Sequence, residues 1–203
     1  IFDMRYLTAD YIFPIYSPPV KNGVIAINED GSIYDVIKPV VNCQLPVADY
    51  FKGILCPGFI NSHCHLELSY LKGKISEKKG LPVFIGEMES IRGKFSEDEI
   101  QRAIIDAEDE MLKNGIVGVG DICNSDFSFS QKSKRRIRYH TFIEALGFHP
   151  DKAEAAFEKC LELYQKYITY FRPSQLNLTG SSVTQTKAAN LSGFSITPHA
   201  PYS

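Results

Sequence analysis

The sequence contains no Cys-x-x-Cys pair, no long uninterrupted apolar run and no marked excess of either charge. Each absence removes a class of function. The five cysteines, Cys43, Cys56, Cys64, Cys123 and Cys160, are irregularly spaced and give neither a disulfide framework nor a zinc ribbon. Reduced thiols in a cytoplasmic protein are the simplest account. No stretch approaches the ~18 apolar residues that a membrane-spanning helix needs. The N-terminus lacks the basic segment and apolar run of a secretory signal. A formal net charge of -2 leaves no electrostatic footprint for nucleic acid. The basic run from Lys132 to Arg138 is the local exception, and it reads as a solvated loop. There is no internal repeat. What remains is ordinary globular composition, 44% hydrophobic and 23% charged over 203 residues.

The first part of the chain reads as β structure. Gly23 to Ile27 is a β-branched run, Asn28-Glu29-Asp30-Gly31 is a turn, and Ser32 to Ile37 returns as the partner strand. Five prolines, Pro14, Pro18, Pro19, Pro39 and Pro46, exclude long helices here. Residues 1–55 are therefore expected to form a small, incomplete β-sandwich-like domain. From Ile54 strands and helices alternate. Strands are expected over Ile54 to Asn61, Ile116 to Ile122, Arg138 to Leu146 and Ser192 to Thr197. Helices are expected over Leu81 to Arg92, Ser96 to Asn114 and Asp151 to about Tyr170. In the second helix Ser96 and Glu99 form a capping box, and Ile100, Ala103, Ile104, Ala107, Met111 and Leu112 share one face. In the third, the apolar spacing places Ala153, Ala156, Phe157, Cys160, Leu161 and Tyr164 together. A long polar connection lies between Phe171 and Leu191. Repeated βα units imply a parallel sheet with right-handed crossovers over residues 56–203.

His63 and His65 carry the chemistry. Residues i and i+2 of a strand face the same side, so both imidazoles can approach one ion, and neutral imidazole suits zinc or iron(II). The bare spacing is commoner among surface histidines than among ligands. Here, however, it follows an apolar strand and a Pro-Gly bend. The full segment, Leu55-Cys56-Pro57-Gly58-Phe59-Ile60-Asn61-Ser62-His63-Cys64-His65-Leu66-Glu67, resembles the signature of the amidohydrolase superfamily, in its chlorohydrolase and nucleobase-deaminase branch. Pro198-His199-Ala200-Pro201-Tyr202-Ser203 resembles a second segment of that family, after the fourth barrel strand.

The resemblance implies an α/β fold: about four βα units, the N-terminal part of a (β/α)8 TIM-type barrel, preceded by a small β-domain. It implies one divalent metal, zinc before iron, held by His63 and His65. His199 would contact the substrate or polarise the group under attack. Two roles are open to Glu67, a hydrogen bond to a ring nitrogen or amine, and a salt bridge at the barrel mouth. Asp121 would support a ligand histidine from behind or cap the following turn. Glu144 would face inward or outward. Cys64 should point away from the metal, while His140 and His149 read as structural or exposed.

The implied reaction is metal-dependent hydrolysis of a non-peptide carbon–nitrogen bond. Deamination of an amino-substituted heterocycle by hydroxide generated at the metal is the leading form. Hydrolysis of a cyclic amide, dechlorination and a non-catalytic binding or scaffold module are the alternatives. The expected partner is a small heterocyclic substrate, with no nucleic acid or membrane and with room for a homo-oligomer. The family also calls for histidines after the fifth and sixth strands, a glutamate near the first of these, and an aspartate after the eighth. A whole barrel takes ~250 residues, so the 203 residues are expected to be a fragment and inactive by themselves.

Overall fold

The computed structural model describes residues 4–147, 150–171 and 193–198. The chain forms two compact units, 1–58 and 59–203.

In the first unit, β1 (Arg5–Ile12) is the hub of a five-stranded sheet. β2 (Val20–Lys21) and β3 (Val24–Ile27) pair antiparallel with it, and β4 (Ile33–Ile37) extends the sheet from β3. The β3–β4 hairpin turns at the Asp-Gly pair, where Gly31 takes φ 82° and donates its N–H to the Asn28 carbonyl. β5 (Asp49–Leu55) pairs parallel with β1. Their register slips between Ala9 and Tyr11. At the slip, Asp10 accepts hydrogen bonds from the Tyr50 hydroxyl (2.6 Å) and the Gly53 N–H (2.9 Å). Ile12, Val20 and Ile25 form the core of this sheet, with Ile27, Val36 and Leu55 packed against it.

In the second unit, β6 (Phe59–Cys64), β7 (Ile116–Cys123), β8 (Arg138–Glu144) and β9 (Gly193–Thr197) form a parallel sheet in sequential order. β6 and β7 approach closely because residue 120 is glycine. A Cβ there would stand 2.8 Å from the Ser62 carbonyl oxygen. α1 (Leu81–Ile91) and α2 (Glu97–Lys113) lie between β6 and β7 in sequence. α3 (Phe129–Ser133) follows β7, and α4 (Ala153–Phe171) follows β8. α2 starts as its sequence dictates. The Ser96 side chain accepts from the Glu99 N–H, and the Glu99 carboxylate accepts from the Ser96 N–H. All six apolar residues expected on its inner face pack into one core with Leu66, Tyr70, Val119 and Tyr139. A second core joins Phe129 and Ile143 to Cys160, Leu163, Tyr167 and Phe171 of α4. Among the described residues no helix is long and apolar enough to cross a membrane.

Three expectations are corrected. The run from Ile54 to Asn61 is not one strand. Leu55 ends β5, where its carbonyl accepts from the Phe13 N–H, and β6 starts at Phe59, whose N–H bonds to Gly115. Cys56-Pro57-Gly58 separates them, because proline has no N–H for a ladder. The buried face of α4 is rotated from the expected one: it runs through Cys160, Leu163, Tyr167 and Phe171, and Phe157 is exposed. The basic run is not wholly solvated, since Lys132 and Ile137 are buried. The polar connection expected between Phe171 and Leu191 falls outside the described residues, as do His149 and His199.

Candidate metal site

β6 delivers His63 at its C-terminal end, and His65 follows as the residue that opens a 3-10 turn, Leu66–Leu71. Their ring centres are 5.4 Å apart with the planes tilted by 58°. Two imidazoles bound tetrahedrally to one ion at ~2.0–2.1 Å place their ring centres roughly 5 Å apart. The pair therefore has the spacing of two ligands of one ion. Two donors are half of a tetrahedral site. Among the described residues no group of three or more His, Cys, Asp and Glu side chains gathers as a metal site does. The residues present fit a metal as a partial ligand set.

The ligand strand is tied to its neighbour by two buried carboxylates. Asp121, at the end of β7, accepts the Leu66 N–H at 2.7 Å and pairs with Lys132 Nζ at 2.5 Å. Both side chains are fully buried. Burial, the largest single influence, lowers the tendency of Lys132 to hold its proton, but its neighbours, Asp121 first among them, together outweigh it and the net shift is upward. Glu67 accepts the N–H groups of Asn124 and Ser125, each at 2.9 Å, and the Ser125 hydroxyl. Burial raises the Glu67 pKa, and these donors oppose the rise. Cys64 lies opposite Asp121 in the β6–β7 ladder. Burial and then the Asp121 charge push its thiol up to about 12.

Glu144 is buried at the end of β8, where its carbonyl accepts from the Asn124 side chain at 3.2 Å. It lines a cavity of about 190 Å³ with Arg92 and Lys159. His140 is exposed and bridges β8 to β9, with Nε2 3.1 Å from Ser195 Oγ. A larger cavity, about 640 Å³, opens directly on His65. Leu68, Leu71, Ile75, Leu81 and Phe84 give it apolar walls, and Lys78 and Lys79 stand among its lining residues. Lys132, Asn124 and Ser125 were not singled out as site residues from the sequence. Asn124 holds Glu67 through its backbone N–H, and Ser125 through its backbone N–H and its hydroxyl; the backbone bonds have no signature in side-chain identity.

No protein-family model and no curated protein sequence matches this chain. Solved structures do. The chain is similar to Helicobacter pylori aminofutalosine deaminase in complex with methylthio-coformycin, with a TM-score of 0.61 and 21% identity, over 79% of this chain and 40% of that one. It is similar to an adenosine deaminase from Xanthomonas campestris with bound zinc (TM-score 0.63, 17% identity, 98% of this chain, 43% of that one). It is also similar to guanine deaminase from C. acetobutylicum with guanine in the active site (TM-score 0.67, 18% identity, 99% of this chain, 47% of that one). The chain thus spans less than half the length of each. At these identities the likeness establishes the fold.

Proposed function

The fold of this chain is that of the N-terminal part of amidohydrolase-superfamily deaminases, and we propose that it works as they do, hydrolysing a carbon–nitrogen bond. The observation that carries the reading is the His63–His65 pair, spaced for one ion at the end of β6, with His65 lining the cavity beside it. His63 and His65 would hold a divalent metal, with zinc favoured because imidazole suits it and a similar structure binds it. Such an ion, when bound, makes hydroxide available near neutral pH. The apolar walls of the cavity would receive a flat heterocycle carrying the amino group that leaves. His199 is proposed as a substrate contact. For Glu67 the geometry favours holding over reacting, because both its oxygens are already engaged by Asn124 and Ser125.

The experiment, on a protein that carries this chain together with strands that complete a barrel, measures zinc by elemental analysis and ammonia release from a panel of aminopurines and aminopyrimidines. His63→Ala and His65→Ala should each lose stoichiometric metal and turnover together. Full metal content in both variants would refute the assignment. Metal binding without release of ammonia from any substrate would favour a binding module or a different leaving group.

A further inference from the structure

The residues on both sides of His65 meet a single acidic residue. Before it, Cys64 stands opposite Asp121 in the β6–β7 ladder. After it, the Leu66 N–H reaches Asp121 Oδ1 at 2.7 Å. The backbone of His65 itself sits at φ -124° and ψ 74°, where the strand has ended and the 3-10 turn has not begun. No repeating ladder holds that conformation; the Leu66 N–H bond to Asp121 fixes it on one side, and the Leu68 N–H donates to the His65 carbonyl at 2.9 Å. Asp121 is fixed in turn. Lys132 of α3 clamps its other oxygen at 2.5 Å. The Lys132 ammonium also donates to Thr141 Oγ1 at 3.1 Å and lies over the rings of Phe129 and Tyr139.

A buried ion pair is a weak source of stability. Apolar side chains of similar volume often serve as well or better. What a pair supplies that apolar groups do not is direction, because one oxygen of Asp121 takes the Leu66 N–H and the other faces the Lys132 ammonium. Here one oxygen points at the backbone that carries His65. The geometry assigns Asp121 and Lys132 as positioning residues for the metal site: Lys132 orients the Asp121 carboxylate, which holds the 64–66 backbone and thereby aims the His65 ring. This rests on the reading of His63 and His65 as ligands. Groups that orient ligands typically change metal affinity by ~10–100-fold when removed.

The test compares charge-balanced variants, so that no lone buried charge confuses it. Asp121→Asn with Lys132→Met removes both charges and keeps an oxygen acceptor for the Leu66 N–H. Asp121→Leu with Lys132→Met, and Asp121→Ala with Lys132→Met, remove that acceptor. Each protein is titrated with Co(II), read by its visible absorption, and its urea midpoint is measured in parallel. The Asn variant, which keeps the acceptor and loses the lysine that orients it, should bind Co(II) more weakly than the parent and more tightly than the Leu and Ala variants, which should bind ~10–100-fold more weakly than the parent while still folded. Unchanged Co(II) affinity in a folded Leu or Ala variant would overturn the proposal. Folding of the Asn variant with failure of both others to fold would assign the pair to stability alone and overturn it too. If the unaltered protein takes up no Co(II), the metal reading itself fails, which is a separate result.

Discussion

Lys132 has no access to solvent, so what it does for the fold depends on Asp121. Lys132→Met alone leaves a buried carboxylate without its cation and should cost about 3–5 kcal/mol. The double change Asp121→Asn with Lys132→Met should be much milder, as urea unfolding followed by far-ultraviolet dichroism would show. The pair also sets an alkaline limit. Because Asp121 raises the lysine pKa in the folded state, the stabilisation is complete below the unfolded value of ~10.4. It is lost as pH rises through the folded value. The double variant should lack this alkaline component. Nothing in the local pattern revealed the role of this side chain. Lys132 opens a run of basic residues, and Lys134, Arg135, Arg136 and Arg138 of that run are exposed. Its burial follows from the position of Asp121, eleven residues earlier and at the end of a buried strand. The closeness of the His63 and His65 rings was legible from their i, i+2 spacing, whereas the end of β6 at Cys64, one residue before His65, was not.

At the scale of elements, legibility followed the strength of local rules. α2 was readable because its cap and its apolar face agree. Ser96→Ala should cost about 1 kcal/mol and should speed amide exchange in the first turn of α2, leaving β7 protected. Equal loss of protection in both elements would show that the cap holds more than its own helix. α4 was readable in extent and misread in phase. Its sequence is apolar over more than one face, with Phe157, Leu161 and Tyr170 exposed. Only the partners Phe129 and Phe194 decide which face is inward. β1 and β5 were missed for a related reason. Their pairing is parallel and joins residues about forty positions apart, and nothing near either strand announces it. The break at Cys56-Pro57-Gly58 was hidden because β5 and β6 are both apolar and nearly adjacent in sequence.

At the scale of the whole molecule, Phe59, Ile60 and Val117 leave 59%, 67% and 50% of their surface exposed although they sit in the second sheet. β9 closes the order of that sheet among the described residues and pairs with β8 alone. Apolar surface gains roughly 25 cal/mol per Å² when it is covered, and an open strand edge invites pairing with another chain. Residues 1–203 expressed alone should therefore self-associate and show no ammonia release, by light scattering and by the substrate panel. A monodisperse, active monomer would contradict the half-barrel reading. The sequential order β6-β7-β8-β9 has a further meaning for how the molecule is made. A ribosome delivers ~5–20 residues per second, whereas β pairing takes on the order of microseconds. After β6, each strand of this sheet emerges to find a partner already in place. The order of manufacture can serve as the order of assembly, and a nascent chain paused after any strand carries no orphan from this sheet except its growing edge.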